Sequence, residues 1–455
     1  MLKNKILLFF LLCFYTITFA QSDTLTRAEY IDLVKKYHPV IKQTQLQNKI
    51  AENEVKAAKG NFDPIIGGKL GEKVLGGESY YQQKSVEIAI PTWYGVNVIG
   101  QINDLQGNRL NNTDTKGTIP QIGIEVPLGK GLFFDERRAQ LHQAKIFAQM
   151  TENEQFLIVN DLLLDAHQAY IDWQKDFRLL QINQNAVNLN RERLKWIEKT
   201  VQLGERPAID ITETKTQLQY YELKVNEANL NLQNSQLLLS LYLWNENLLN
   251  VAVPENVLPE YQLQSYNLQE NPEFATINPE HPQIQYYSIK NDFLEIERRL
   301  KLQSLLPKID FNYNFLRYKD WQLTPLFQNN FQYGLKVEVP IFMRSARSNY
   351  ENAKLKILQN QNLLKQKTQE LNVKLNQYKT QYQFSNTQIK LIEENLNDLK
   401  NLLRGEEIKF QNGESSMFLI NSRENKLFEA QEKSVQLQAK RLENLYKILW
   451  ITAGL

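Results

Sequence analysis

Phe311-Asn312-Tyr313-Asn314-Phe315 alternates aromatic with polar residues, and Phe331-Gln332-Tyr333-Gly334-Leu335-Lys336-Val337-Glu338-Val339 repeats the alternation shortly afterwards. Earlier in the chain Ile122, Ile124 and Val126 alternate with Gln121, Gly123 and Glu125. Successive side chains of a strand point to opposite faces, so each segment predicts one apolar and one polar face. A lipid-facing barrel strand needs that pattern, and a strand of a soluble sandwich shows it too. These hairpins are too few to close a barrel within one chain, and unpaired strand edges cannot stand in a bilayer. A membrane barrel would therefore draw strands from several chains.

The strands belong to a unit written twice. His38-Pro39 recurs as His281-Pro282, and Pro64 recurs as Pro307 at the same spacing. Ile124-Glu125-Val126-Pro127 then matches Val337-Glu338-Val339-Pro340, Ala144-Lys145 matches Ala353-Lys354, and Gly204 matches Gly413. Such self-similarity is the mark of a repeated architecture. It divides the chain into a first repeat at 21-250, a connector at 251-280 and a second repeat at 281-455. The connector is punctuated by Pro254, Pro259, Pro272 and Pro279, each of which removes a backbone donor and fixes φ, so an irregular surface segment is expected.

No proline occurs between Pro127 and Pro207, and none after Pro340. These stretches are rich in the good helix formers Leu, Gln, Lys, Glu and Ala. Helices are expected over 135–203 and 345–411, each about 100 Å long at about 1.5 Å per residue. Shorter returning helices are expected over 209–249 and 418–451. Helices this long exceed what one globular core can use, so they must coil against each other. Leu355, Leu358, Leu363-Leu364, Leu371, Leu375 and Tyr378 recur at three- and four-residue steps, with Asn, Gln and Lys between them. The exposed face suits the wall of a hollow cylinder, and an ordinary elongated coiled coil would carry the same pattern.

At the amino terminus Lys3 and Lys5 precede the apolar run from Ile6 to Phe19, and Thr18-Phe19-Ala20 precedes Gln21. This is the layout of a secretory signal peptide at 1-20. Its removal would take the only cysteine, Cys13, and leave 51 basic residues against 51 acidic ones. A neutral, cysteine-free exported chain gives no reason to expect nucleic acid as a partner and must obtain stability from packing or association. No later run approaches the roughly 18 apolar residues of a spanning helix, so a membrane role falls to β-strands.

Taken together, the chain resembles the TolC-type outer-membrane efflux family over its whole length. The resemblance rests on the duplicated Pro-strand-strand-Pro units, on Glu-Val-Pro before each long helix, and on two glycine turns. Those turns read Gln202-Leu203-Gly204-Glu205-Arg206-Pro207-Ala208-Ile209-Asp210 and Gln411-Asn412-Gly413-Glu414-Ser415-Ser416-Met417-Phe418-Leu419. The resemblance implies a mixed α and β membrane protein: a trimeric outer-membrane β-barrel continuous with a long periplasmic α-helical coiled-coil barrel, with two structural repeats per chain. It also implies a location in the cell outer membrane, extending into the periplasm and contacting outer-membrane lipid. The function implied is that of a passive channel subunit of a tripartite efflux or type I secretion system, joined through a periplasmic adaptor to an inner-membrane pump. The glycine turns would form the periplasmic tip, with Leu203, Gly204, Glu205, Asn412, Gly413 and Glu414 as adaptor contacts. The lipid-facing strand residues would be Phe311, Tyr313, Phe315, Ile122, Ile124 and Val126.

Two departures from the family's pattern stand out. The aspartates that ring the closed tunnel mouth in the family are matched in the second half by Leu419 and Ser422, while the first half keeps Asp210. Tunnel-gate candidates are therefore Asp210, Met417, Leu419 and Ser422. An apolar constriction can gate by dewetting, whereas a Leu419 packed in the helical seam would do nothing of the kind. The second departure is the longer Pro64-to-Pro127 interval. It contains Val86, Ile88 and Ile90, then Pro91-Thr92-Trp93-Tyr94-Gly95, then Val96, Val98 and Ile102. This reads as an extra hairpin that would widen the contribution from four strands to six, with Trp93 and Tyr94 at a membrane–water interface. An enlarged surface loop is the other reading. Polar stretches at 107–118 and 320–330 are expected to be surface loops.

Catalytic chemistry has no visible basis. His38 and His281 each precede a proline at a helix entrance, and His142 and His167 are too far apart on one helix to share a metal. No metal spacing, phosphate-binding glycine loop or nucleophile elbow occurs, so no cofactor and no enzyme activity is expected. The competing reading is a periplasmic coiled-coil adaptor or scaffold that does not span a membrane; it would have no need of the aromatic strand faces.

Overall fold

The computed structural model describes residues 24–108, 110, 115–254, 256–260, 276–317 and 327–455. The expected signal peptide at 1-20, with Lys3, Lys5 and Cys13, lies outside them. So do much of the 251-280 connector and part of each expected surface loop. In chain order the elements are β1 (Thr24–Leu25), α1 (Arg27–Tyr37), α2 (Pro39–Gly60), β2 (Ile65–Leu75), β3 (Glu78–Pro91), β4 (Asn97–Gln106) and β5 (Gly117–Pro127). There follow α3 (Glu136–Gln202), α4 (Ile209–Ser240), β6 (Leu258–Pro259), α5 (Pro282–Gln303), β7 (Lys308–Leu316), β8 (Phe331–Glu338), α6 (Arg344–Gln411) and α7 (Met417–Ile451). The chain forms two units. One comprises the described residues up to Thr44 with Leu157–Asn278 and Glu370–Leu455; the other comprises Gln45–Phe156 and Pro279–Gln369.

The second of these units carries a six-stranded antiparallel sheet in the order β2-β3-β4-β5-β7-β8. The longer Pro64-to-Pro127 interval is thus strand, not an enlarged loop: β3 and β4 form a hairpin whose Thr92 amide and hydroxyl both donate to the Val96 carbonyl, at 3.0 and 2.7 Å. Helix α3 opens beside this sheet with Asp135 as its cap. The Asp135 carboxylate accepts from the Arg138 amide at 2.9 Å and from the Arg138 guanidinium at 3.0 Å. This satisfies one of the amides that a helix start leaves without a partner.

The other unit is a helical assembly. Its core gathers Tyr30, Ile31 and Val34 of α1 against Leu162, Leu163, Ala166, Tyr170 and Trp173 of α3 and against Leu239 and Leu243. The Tyr170 hydroxyl donates to the Leu25 carbonyl at 2.7 Å and accepts from the Glu260 amide at 3.1 Å, pinning the short parallel pair β1–β6 to α3. The described part of the connector is therefore not wholly irregular.

Helix α4 stops at Ser240, nine residues short of the expected 249. The Asn245 side chain accepts from the amides of Asn247 and Leu249, at 3.0 Å each, and Leu248 takes a positive φ of 57°. The Asn250 carboxamide then turns back onto the carbonyls of Ser240 and Leu243 at 2.5 and 3.2 Å. A local turn thus supplies partners for the last carbonyls of the helix, and its polar residues outcompete the helical propensity of Leu248-Leu249.

Along the helices, α4 and α7 lie parallel and in step. Glu213 meets Asn421, Gln217 meets Asn425, and Lys224 meets Glu432 at 3.0 Å. Each rung joins residues 208 apart in sequence, so the two returning helices keep one constant register along this stretch.

Candidate functional site

The pairing register decides what each face of the sheet carries. Ile122 lies opposite Phe315, Ile124 opposite Tyr313 and Val126 opposite Phe311. On the adjoining strands Val98 lies opposite Ile124, Ile90 opposite Val98, Val86 opposite Ile102 and Ile66 opposite Ile88. At the other end Phe315, Tyr313 and Phe311 meet Phe331, Tyr333 and Leu335. Directly opposed residues share a face. An apolar band therefore crosses all six strands on one face, with Glu72, Lys84 and Asp104 on the same side nearer the β2–β3 turn, and much of the face is open in the single chain: Leu70 is 82 % exposed, Ile122 50 % and Leu335 59 %.

The opposite face is mostly polar and cross-braced. Gln121 donates to Gln101, its partner in register, and Asn97 donates to Glu125 at 3.1 Å. Asn312 and Asn314 lie opposite Gly334 and Gly123. A Cβ on Gly123 would fall into the Asn314 carboxamide and 2.6 Å from the Tyr313 carbonyl, so only glycine lets these strands meet beneath that side chain. Its apolar residues are Ile65, Ala89, Ile99, Leu105, Ile119 and Leu316.

One expectation about the apolar face needs correction. Tyr313 lies on it but is only 3 % exposed. Phe315, Phe327 and Phe331 pack around its ring with centroids 5.0 to 6.0 Å away, and its hydroxyl accepts from the Phe327 amide at 3.0 Å. Phe327 follows the interval from β7 and folds back over Tyr313, which takes the tyrosine out of contact with the surroundings. Trp93 and Tyr94 sit in the β3–β4 turn, where Trp93 stacks on Phe62 of the α2–β2 junction at 4.1 Å. Both remain exposed, Trp93 by 54 % and Tyr94 by 83 %.

The two glycine turns have the same geometry. Gly204 and Gly413 take φ of +76° and +79°. Glu205 donates to the Thr200 carbonyl and Gly204 to that of Val201; Glu414 and Gly413 do the same to Lys409 and Phe410. This is a Schellman termination, in which the residue just past the helix needs the left-handed conformation that glycine adopts freely. Leu203, Gly204, Glu205, Asn412, Gly413 and Glu414 are all exposed, so these two turns present their tips to solvent. Arg206 locks the first turn to the end of α6: its guanidinium lies 3.5 Å from the Phe410 ring centroid and donates to the Phe410 carbonyl at 2.8 Å.

The four gate positions divide. Met417 is fully buried against Ile197, Phe410 and Ile420, so it is a core residue here and lines no opening. The reason is its place in the stripe that continues through Ile420, Glu424 and Leu427. Asp210 is also buried, 3.8 Å from Arg206. Leu419 is 39 % exposed and Ser422 half-buried, so only these two retain access to the surface of the chain.

Beneath the tips lies a group that sequence reasoning missed. Glu424 is wholly buried and accepts from both terminal nitrogens of Arg193, at 2.6 and 2.9 Å, with Asn190 at 3.2 Å. Its spacing from Met417, Ile420, Leu427 and Phe428 places it on the apolar stripe of α7, which is the signal that could have found it. Higher in the same unit, burial pushes His167 down to about 3, aided by the positive Arg27 and Lys35. Its ring stacks on Tyr446 at 3.9 Å. His38 and His281 each accept, through Nδ1, from the amide two residues on, at 3.3 and 3.2 Å, and so serve as helix-entry caps. Among the described residues no group of His, Cys, Asp and Glu is placed to hold a metal ion, and no helix is long and apolar enough to cross a membrane.

Known proteins agree with this picture. Residues 281–452 match the family model described as outer membrane efflux protein. No curated protein matches the sequence. Among solved structures, CusC superposes with a TM-score of 0.66 at 15 % identity, over 94 % of this chain and 92 % of that one. The outer membrane protein VceC of Vibrio cholerae gives 0.66 at 12 % identity, covering 94 % and 96 %. The MtrE outer membrane channel of Neisseria gonorrhoeae gives 0.65 at 12 %, covering 94 % and 88 %. The fold is that of a TolC-type outer-membrane efflux protein, and the second half of the chain carries the family's sequence pattern. CusC forms a transmembrane channel and MtrE is an outer membrane channel.

Proposed function

We propose that this chain is the outer-membrane channel subunit of a tripartite efflux or type I secretion system, a passive conduit from periplasm to exterior. The observation that carries the reading is the sheet's division into an apolar face spanning six strands and a hydrogen-bonded polar face. Lipid on one side and water on the other require this arrangement in a barrel wall. The subunit works as a homotrimer. In support, α4 leaves Leu223, Leu230 and Leu237 more than half exposed at heptad spacing, with Tyr220 and Leu241 beside them, a stripe suited to a neighbouring helix. The exposed glycine turns, 203–205 and 412–414, receive a periplasmic adaptor that joins the channel to an inner-membrane pump. Leu419 and Ser422 are the remaining gate positions. The chain carries no catalytic chemistry; transport energy comes from the pump.

Membrane fractionation followed by heated and unheated gels tests this reading. Heat-sensitive oligomer in the outer-membrane fraction is expected. Ile122→Arg on the apolar face should reduce that species, since a cation facing lipid near the midplane costs about 2–4 kcal/mol. Gln121→Arg, one residue away on the polar face, should leave it intact. A soluble periplasmic monomer, or equal tolerance of both substitutions, would overturn the proposal.

A further inference from the structure

Between α3, α4 and α7 of the helical unit lies a polar cavity of about 290 Å³ that a passive conduit does not require. Asp176 and Asn183 of α3, Lys224 and Glu227 of α4, and Glu432 of α7 line it. Lys224 and Glu432 answer each other at 3.0 Å, which leaves Asp176 and Glu227. Lys175 stands 3.5 Å from Asp176, but its ammonium is held closer by Asp172, at 2.7 Å. Burial raises the Asp176 carboxyl above its ordinary range, with Lys175 opposing the rise and Asp172 adding to it. Glu227 has no ion pair among the described residues and stands exposed at the rim.

Asn183 lines the same cavity yet is only 4 % exposed. Its carboxamide nitrogen donates to the Leu179 carbonyl at 2.9 Å, whereas its oxygen has no donor. A buried acceptor left in that state costs about 1–3 kcal/mol and calls for an occupant that supplies a proton donor. Surplus negative charge beside an unmet acceptor selects a cation that donates hydrogen bonds. A metal ion does not fit, because among the described residues no group of His, Cys, Asp and Glu converges to hold one. Asp176 and Asn183 stand two turns apart, about 10 Å along α3. Hydrogen bonds of about 2.9 Å at each end take up more than half of that span, so an alkyl chain of about three or four carbons bridges the rest.

We propose that this cavity binds a short aliphatic diamine in its doubly protonated form, one per chain. One ammonium donates to the Asn183 oxygen and faces Glu227 across the cavity; the other pairs with Asp176. The methylenes lie along Leu179, which also lines the wall. Each ammonium brings three donors and no acceptor, which suits a site whose free groups are all oxygens. The volume sits at the small end of ligand cavities, which run from about 300 to 1,000 Å³, and so favours a single short chain. The bound dication ties α3 to α4. The site lies wholly in the helical unit and is independent of the sheet, of the glycine turns and of the number of copies.

The test uses the full-length chain purified in detergent and titrated calorimetrically at neutral pH with 1,4-diaminobutane. The uncharged 1,4-butanediol and magnesium chloride at matched ionic strength are the comparison probes. The diamine should give a saturable heat with one site per chain, and the diol and magnesium should give none. Glu227→Gln changes an exposed side chain and should weaken diamine binding about tenfold. Asn183→Leu should weaken it at least as much, with circular dichroism confirming the fold. Glu222→Gln, on the same helix but outside the cavity, should leave it unchanged. Absence of a saturable heat, or an equal response to the diol, means that the cavity holds water only and overturns the proposal. Displacement of the diamine by magnesium at matched ionic strength overturns it in favour of diffuse charge. Unchanged affinity in Glu227→Gln, or an equal loss in Glu222→Gln, overturns the placement even where Asn183→Leu fails to fold.

Discussion

Removing Arg193 should unfasten α7 near its start. Glu424 has no exposure to water and its two oxygens rest on Arg193 at 2.6 and 2.9 Å. In Arg193→Met the carboxylate keeps only Asn190, at 3.2 Å. Breaking a buried pair by deleting one partner typically destabilises by about 3–5 kcal/mol, because the other charge is left without compensation. Glu424→Gln should be milder. Its side chain still accepts from Arg193, whose side chain is 12 % exposed and has a second carboxylate, Glu407, at 4.0 Å. The double variant Arg193→Met/Glu424→Leu removes both charges and should lie within about 1–2 kcal/mol of the parent. Hydrogen exchange followed by mass spectrometry reads the local opening of α7 directly and needs no assumption about global unfolding. At tenfold per about 1.4 kcal/mol, amides at 420–428 should exchange roughly a hundred- to a few-thousandfold faster in Arg193→Met. They should return close to the parent rate in the double variant. An increase below about tenfold, or a double variant as labile as the single one, would refute the claim that an uncompensated charge is what opens the helix.

Three further outcomes follow from the same structure. His167 titrates near 6.5 when unfolded but is held down to about 3 by burial beside Arg27 and Lys35, so the folded state binds fewer protons than the unfolded one. Stability of the helical unit should therefore fall as pH drops from about 6.5 towards 3, and His167→Phe should flatten that part of a thermal-unfolding pH series; an unchanged slope would count against it. Gly204→Ala and Gly413→Ala should each destabilise by about 1–2 kcal/mol at their positive φ, whereas Gly405→Ala, in mid-α6 with open space around it, should stabilise by about 0.5–1 kcal/mol. Calorimetric midpoints moving in the same direction for all three would contradict the Schellman reading. Arg206→Ala removes a ring contact and a hydrogen bond to Phe410, and should speed exchange at 409–414 by about tenfold without altering exchange at the sheet.

Much of this architecture could be read from one chain because its signals are local. The period-two stretches at 121–126 and 311–315 lie in strands, and the proline-free runs lie in helices whose ends fall within a residue or two of expectation, α4 excepted. The failure at α4 came from Asn245 and Asn250, whose side chains compete for backbone groups in a way that helix propensity ignores. The site was less legible. Nothing local says that Phe327 will cover Tyr313, because that contact closes across the interval between β7 and β8. Met417 looked like a gate residue from its position near the glycine turn, yet its fate depends on Ile197, which lies in the other repeat. Glu424 shows the same limit: its place on an apolar stripe is visible, but Arg193 as the group that makes burial tolerable is visible only in the folded chain.

The rungs between α4 and α7 constrain how such a chain can change in length. Glu213, Gln217 and Lys224 each reach the residue 208 positions ahead, at equal height on two parallel helices. Inserting a turn into one helical hairpin alone would slide every rung past its mate and leave Lys224 facing a different heptad position from Glu432. The two hairpins therefore behave like the rails of one ladder. Growth or shortening is tolerated only when both repeats change together by the same number of residues. Homologues should accordingly differ in helix length by paired insertions, one in each half, and a chimera combining hairpins of unequal length should fail to assemble even if each hairpin is sound on its own.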